Sequence, residues 1–572
     1  MSRTSWVLGT VMVALCLFGG RLAPAAPKTP AWASEAETPV PSNPASPVRA
    51  RPAGDTRGTS RRPASGSIGD FHPRRPRSIA PSTVSGPPAG VPDAPVPAAA
   101  AAPGSHSQSP SDLALLGETP IARSQYGVNV FSYDQQLKAP STIPTLQKLG
   151  LGLQQFPNDN TWSWTTNTFR SGAVGAVSLA HWGAILEATG AHGLFIFNYD
   201  ENPTWTGGGT PADAVALIRY ILQHHLPIDA IVIGSEEYGS WDYAANLNPS
   251  TSAAYYGHQA AAIAQAIHNV DPAMQVGLVM DPGTLPYDLA WNRTVLGAAG
   301  GYVNFVSVHE YLIDQNTSGA GLLARVATDI TGALQNLRGQ LQADLPPSGP
   351  ASLPIWITEF NPCYEPGPQA TRPVYGAAMV ESAILWRALG AARLVLWSYD
   401  GQAHAPAPGY PVDTTPHTPY GLFALVGDGI PPELPVNTLY PSGLALSTFL
   451  QAVAGGGTLT TWETPGLVVG QVSSGAGFHV FAVNTSRDAA HVAISGHAVT
   501  VPPAGLVALR MPGPATITVP HPPAATRPGR HAPPHPVPAQ PSPAARDRQT
   551  GDHPPAIGAP HQAAHTGPRS HR

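Results

Sequence analysis

Two glutamates stand at the ends of two apolar runs. Ile231-Val232-Ile233-Gly234-Ser235 leads into Glu236-Glu237-Tyr238-Gly239-Ser240-Trp241. Leu353-Pro354-Ile355-Trp356-Ile357-Thr358 leads into Glu359-Phe360-Asn361. Short β-branched runs of this kind read as buried parallel strands, each delivering a carboxylate at its C-terminal tip. Carboxylates on two separate strands can divide the work on a glycosidic bond. One gives and takes a proton, and the other attacks the anomeric carbon, as a retaining glycosidase requires.

The chain around the two runs must then bring them together. From about residue 111, strand-like and helix-like runs alternate. Strands are expected over 126–131, 152–156, 193–198, 228–234, 275–280, 302–308, 354–358 and 393–397. Helices are expected over 141–149, 179–189, 211–223, 252–269, 287–296, 321–343 and 374–389. Eight strands, each but the last followed by a helix, predict an α/β fold, a (β/α)8 TIM barrel. A doubly wound open sheet is the rival, but no G-x-G-x-x-G follows a strand. Short strands between 458 and 511 change the period and predict a C-terminal all-β sandwich, to which residue 126 or the segment before it adds a strand.

In a barrel the chemistry sits at the C-terminal strand ends. The tips here offer Asn129, Phe131 and Tyr133; Gln155 with Asn158 and Asp159; and Asn198, Tyr199, Asp200 and Glu201. Ser235, Glu236 and Glu237 follow, then His309, Glu310 and Tyr311, Glu359 and Asn361, and Trp397, Tyr399 and Asp400. Rings suit the apolar faces of sugars, and amides and carboxylates suit their hydroxyls. Lys and Arg are scarce in this crown, which argues against a phosphorylated substrate. A lone His309 does not make a metal site, so no metal and no cofactor are expected.

At this point the motifs resemble a known family. Gly234-Ser235-Glu236-Glu237-Tyr238-Gly239-Ser240-Trp241 is similar to the G-N-E-x-x-G-x-W segment of clan A retaining glycosidases, such as the α-L-arabinofuranosidases and β-xylosidases of families 51 and 39. Thr358-Glu359-Phe360-Asn361 resembles the clan's T-E-[WF]-N nucleophile strand. Val306-Ser307-Val308-His309-Glu310-Tyr311 resembles its V-S-x-H-x-Y. Leu151 to Pro157, followed by Trp164, is similar to the L-R-Y-P-G-G…W segment of strand two. The resemblance implies Glu236 as acid/base and Glu359 as nucleophile. The charge of Glu359 would help Glu236 to hold its proton. It implies that His309 and Tyr311 hold Glu359, and that Asn198 and Trp397 bind the sugar. Glu236 precedes Glu237 in this assignment because it follows Gly-Ser directly. Three positions depart from the pattern: Ser235 replaces the clan's Asn, Gln155 its Arg, and Asn158-Asp159 its Gly-Gly. Ser235 and Gln155 are nevertheless retained as candidate substrate-binding residues.

The chain has 572 residues, with 66 Pro and 58 Gly, more than a packed fold carries throughout, and the Pro is densest at the two ends. The expected organisation is a signal peptide (1–26), a disordered Pro/Ala/Arg-rich linker (27–110), the barrel (111–425), the sandwich (426–512) and a disordered Pro/His-rich tail (513–572). The tail's histidines have no fixed geometry for a metal. A signal peptide predicts a secreted protein with no integral membrane domain after cleavage, and the basic linker leaves attraction to anionic wall polymers open. The net charge of -5 argues against nucleic-acid binding, and two cysteines, Cys16 and Cys363, exclude a disulfide framework in the processed chain. The function predicted is hydrolysis of glycosidic bonds in plant or microbial polysaccharide, with carbohydrate as the partner. Two alternatives remain: a non-catalytic carbohydrate-binding protein on a degenerate barrel, and a cell-surface protein whose tails do the work. The sugar, exo or endo action and oligomeric state are left open.

Overall fold

A computed structural model describes residues 113–519, apart from 158–161, 170–171, 200–208, 240–251, 314–316, 318, 364–366, 401–424 and 428–433. The expected signal segment, the linker and the tail beyond residue 519 lie outside the described residues. Among those described, no helix is long and apolar enough to cross a membrane.

The chain begins with strands β1 (Ala114–Ile121) and β2 (Tyr126–Asn129), helix α1 (Thr142–Leu149) and β3 (Leu153–Phe156). A two-stranded excursion, β4 (Trp162–Ser163) and β5 (Thr168–Phe169), leads to α2 (Leu179–Thr189), β6 (His192–Phe197), α3 (Pro211–Gln223) and β7 (Ile228–Ile233). Then come α4 (Ser252–Val270), β8 (Gln275–Met280), α5 (Pro286–Ala299), β9 (Phe305–Tyr311), α6 (Ala320–Asp344), β10 (Ile355–Asn361), α7 (Pro373–Ala388) and β11 (Arg393–Leu396). The strands β2, β3 and β6 to β11 close into one eight-stranded parallel barrel in chain order. The expected TIM barrel is therefore the observed fold, and the open sheet is excluded.

Local chemistry starts the helices where the sequence signals them. The Ser178 hydroxyl caps the His181 N–H, and Thr210 and Asp213 cap each other's backbone ahead of α3, whose first residue is Pro211. Helix α7 is buried almost all round. Its run Ala377-Ala378-Met379-Val380 through Ala383-Ile384-Leu385-Trp386 has no polar stripe wide enough for solvent, as suits a helix covered on both sides.

The cover on α7 is the β-domain. Strands β12 (Gly457–Thr464), β13 (Leu467–Ser474), β14 (Gly477–Asn484), β15 (Ala490–Ile494), β16 (His497–Val501), β17 (Gly505–Met511) and β18 (Ile517–Thr518) form two sheets, ordered β1-β12-β13-β14-β17 and β16-β15-β18. Alternation along the larger sheet splits its burial between two cores. Val468, Val472, Phe481 and Val483 pack into the barrel core, while Leu467, Val469, Val480 and Ala482 meet Val492, Ile494 and Val501 of the smaller sheet. At Gly470 a Cβ would lie 2.8 Å from the Ile384 side chain, so glycine lets the sheet sit close on α7. The N-terminal segment does add a strand: β1 pairs antiparallel with β12.

Two expected boundaries move. An eighth helix, α8 (Pro441–Val453), packs against α7 and α1 and completes the barrel's outer ring, so the barrel does not end at residue 425. Its Phe449 meets Tyr126 edge-on at 5.6 Å. At the other end, Ile517 and Thr518 pair with Ile494 and Ala493, so the sandwich runs past residue 512. The fifth barrel helix is also longer than the expected 287–296, because Pro286 opens it and Val295, Leu296 and Ala299 continue its buried face.

Candidate active site

Strand β7 ends at Ile233, and the chain then turns sharply. Gly234 takes φ +75° and Glu236 takes φ +56°, and the Gly239 N–H closes the turn on the Glu236 carbonyl at 2.7 Å. A left-handed backbone costs a non-glycine residue about 1–2 kcal/mol. The turn sends the two glutamates to different places. Glu237 folds back until it is 1% exposed, with its Oε1 accepting the Ser235 N–H at 3.3 Å. A Cβ on Gly234 would lie 2.0 Å from that oxygen, so only glycine fits there. The Glu236 side chain stays 23% exposed and faces the barrel axis through its contact with His309.

Strand β9 alternates inward through Ser307, His309 and Tyr311. His309 Nδ1 lies 3.0 Å from Glu236 Oε1 and 3.1 Å from Glu359 Oε2. The Tyr311 hydroxyl donates to the same Glu359 Oε2 at 3.1 Å. Opposite, β10 carries an irregularity: Ile357 pairs with Val308 and Glu359 with His309, leaving Thr358 as the extra residue. A bulge of this kind re-aims side chains at a strand end. It lets Thr358 Oγ1 meet Ser307 Oγ at 2.6 Å while the next residue, Glu359, also reaches the interior. Asn129 Nδ2 donates to the Thr358 and Leu396 carbonyls and stitches the strands across the bulge.

Burial dominates the electrostatics. It lifts the Glu359 carboxyl above its ordinary range; the His309 charge and its bond oppose this, the nearby Glu236 charge adds to it, and the Tyr311 bond opposes it. For His309 burial alone would favour the neutral ring, but the Glu359 charge, with bonds to both glutamates and the Glu236 charge, prevails and lifts it to about 10. These contacts favour the protonated ring of His309 between the two acidic side chains. One ligand atom from each of Glu236, His309 and Glu359 lies within 4.8 Å of the others. Three ligands are the number a catalytic metal site uses, so these side chains are also the group that would hold a cation. Such an ion would have to take the place of the proton on Nδ1.

The remaining expected site residues are dispersed. Ser235 gives its N–H to Glu237. Asn198, just past β6, donates to the Trp162 carbonyl at 3.2 Å. Gln155 is fully buried beside Asn129, with neither amide atom hydrogen-bonded among the described residues. Trp397 follows β11 half-buried, edge-on to Phe131 at 5.2 Å, and its peptide bond to Ser398 is cis. Trp164 packs on Tyr220 of α3 at 5.3 Å, in the outer layer. Asn158, Asp159, Asp200, Glu201 and Trp241 lie outside the described residues.

Two neighbours of the pair were not singled out from the sequence. Asp281 follows β8 directly and is buried, with its Oδ1 accepting the Gly283 N–H at 2.8 Å. Burial first, with the charges of Asp288 and Glu236, lifts it to about 7 against that hydrogen bond. It occupies the tip of barrel strand five, the position that marked candidates on the other strands. Tyr238 lies edge-on to Trp291 at 5.8 Å. Burial, then the charges of Glu236, Asp281, Glu359 and Glu310, push its hydroxyl well above the ordinary range. A Tyr in a loop carries no comparable sequence signal.

No protein-family model matches the chain, and no curated protein does either. Solved structures do. A family 51 α-L-arabinofuranosidase from Bifidobacterium longum superposes with a TM-score of 0.50 at 13% identity, over 67% of this chain and 87% of its own. An α-L-arabinofuranosidase from Thermotoga maritima, solved with arabinose, gives 0.50 at 13% identity, over 72% of this chain and 98% of its own. The resemblance to clan A family 51 is thus present in the structure, as a likeness of fold.

Proposed function

We propose that the chain is a retaining glycosidase. The observation that supports this best is the Glu236–Glu359 pair, with carboxylate oxygens within 4.8 Å of each other at the mouth of the barrel. Retaining enzymes hold their two carboxyls about 5–5.5 Å apart and inverting enzymes about 6.5–9.5 Å, and two carboxyls that share contact with one His309 nitrogen favour the shorter class. In this reading Glu236 gives its proton to the glycosidic oxygen as Glu359 Oε attacks the anomeric carbon. The C–O bond to the leaving sugar breaks, and a glycosyl ester forms on Glu359. Glu236 then takes a proton from water, whose oxygen displaces Glu359 and restores both groups. His309 and Tyr311 are positioning residues for Glu359, and His309 also steadies Glu236. Trp397 and Asn198 would line the sugar site, and the amide atoms of Gln155, unpaired among the described residues, need partners of their own. Both carboxylates point into one site, which does not favour the non-catalytic alternative.

The fold relatives make α-L-arabinofuranosides the first substrates to test, with β-xylosides next. Residues 1–26 read as a signal peptide, which would put the enzyme outside the membrane. The test is turnover of 4-nitrophenyl α-L-arabinofuranoside and β-D-xyloside, with loss on Glu359→Gln. A wild-type protein inert towards a broad panel of aryl glycosides, or a Glu359→Gln variant of full activity, would overturn the proposal.

A further inference from the structure

Next to the loop that carries Glu236, two large apolar side chains stand open to solvent. Leu285 and Tyr287, at the start of α5, are 50% and 51% exposed. They are held firmly. The Asp281 N–H donates to Asn292 Oδ1 and the Asp281 carbonyl accepts from Asn292 Nδ2, each at 2.8 Å. Asp281 and Asp288 accept the N–H groups of Gly283 and Leu285 at 2.8 and 2.9 Å. The Tyr287 hydroxyl crosses to the strand-four loop and donates to the Tyr238 carbonyl at 3.0 Å, two residues beyond Glu236. The ring is thus fixed at its tip and open on its face.

Resting on the glycosidase reading, we propose that Tyr287 and Leu285 form the platform for the leaving half of the substrate, and that this half is a neutral sugar unit of an oligo- or polysaccharide. The acid gives its proton to the leaving oxygen, so the surface continuous with the acid's loop lies under the departing group. A pyranose or furanose ring presents an apolar C–H face to an aromatic ring and hydroxyls around its edge. Asp288, only part-buried, supplies an acceptor for such hydroxyls. Residues 284–291 contain Asp288 and no Lys or Arg, so a uronate would meet like charge. A platform ordered before binding costs little further entropy on loading.

The experiment compares kcat/KM on a neutral arabino- or xylo-trisaccharide with that on the corresponding methyl glycoside, whose leaving group has no ring. It uses wild type, Tyr287→Ala, Tyr287→Phe and Leu285→Ala. Tyr287→Ala is expected to lose about tenfold on the trisaccharide and under about twofold on the methyl glycoside. Tyr287→Phe, which keeps the ring and loses only the hydroxyl, should stay within about twofold on both, and Leu285→Ala should fall between. Equal losses on both substrates, or a Tyr287→Phe loss as large as that of Tyr287→Ala, would make Tyr287 a loop anchor and overturn the proposal. Calorimetry of the trisaccharide with Glu359→Gln, alone and combined with Tyr287→Ala, gives a readout without turnover. A wild type that binds without hydrolysing defeats the glycosidase reading alone, and the platform is then judged by the binding loss. No binding at all defeats both.

Discussion

Replacing His309 by asparagine tests the centre of the site most directly. The side chain is 6% exposed, and its Nδ1 touches one oxygen of each glutamate at 3.0 and 3.1 Å. Asparagine keeps a hydrogen-bond donor and removes the charge. A cation within about 4–6 Å lowers a carboxyl pKa by about 1–3 units, and two unit charges about 4 Å apart interact by about 4 kcal/mol at an effective dielectric of 20. Glu359 already sits above its ordinary range through burial, with His309 as the largest opposing influence. Without that influence Glu359 should keep its proton to higher pH and be lost as a nucleophile over that added range. The acidic limb of kcat/KM on a 4-nitrophenyl glycoside should therefore move upward by about 1–3 pH units, with a loss of about 10- to 1,000-fold at pH values below the wild-type limb. Stability should change with the same group. The folded-state pKa of His309, about 10, lies above its unfolded value of 6.5. Its contribution is therefore complete below about pH 6.5 and is lost as pH rises through about 10, so wild type should lose more stability over that window than His309→Asn does. An unmoved acidic limb in a folded His309→Asn variant would refute the reasoning.

Three further outcomes follow from the same geometry. Gly234→Ala meets Glu237 Oε1 at 2.0 Å in a left-handed backbone and should cost about 2 kcal/mol or more, read as a lowered Tm with Glu236 misplaced and activity lost. Glu236→Gln should lose kcat/KM on glycosides with poor leaving groups and largely keep it on 2,4-dinitrophenyl glycosides, whose kcat falls because water is no longer activated, whereas Glu237→Gln should lower Tm and keep the wild-type ratio; the reverse pattern would exchange the roles of the two. Millimolar EDTA should leave turnover unchanged and zinc should inhibit competitively with substrate, with calorimetric zinc binding lost in Glu359→Gln.

The barrel was legible in the sequence because its strands are buried on both faces and read as unbroken apolar runs, as at Ile231 to Ile233. Its helices announce themselves by Ser178, Thr210 and Pro211. The pairing of Glu236 with Glu359 was legible as a motif at strand tips. What the turn does with Glu236 and Glu237 was not, because it depends on two left-handed positions flanking Ser235, Gly234 and Glu236, that spacing does not encode. Helix α8 was hidden by the Pro-rich stretch before it, though Pro441 and the apolar face of Leu446, Phe449, Leu450 and Val453 carry an ordinary helix signal. The Thr358 irregularity, which turns two consecutive residues to one side, leaves no mark on an apolar alternation. Asp281 shows the opposite case, a strand-tip carboxylate whose position was as plain as the rest.

The pairing of β1 with β12 has a consequence for how the molecule is made. Glu118 and Thr460 sit opposite each other in that pairing, 342 residues apart in the chain. The first described strand leaves the ribosome or a translocation pore long before its partner exists, and the whole barrel is synthesised in between. Closing so long a loop adds little to the entropy beyond that of a moderate one, but contacts this distant in sequence form late. A nascent chain therefore carries an unpaired edge until the last hundred or so residues arrive. Segments or chaperones that mask residues 114–121 during synthesis would raise the yield of folded protein, and a chain halted before residue 457 would keep that edge exposed however well its barrel formed.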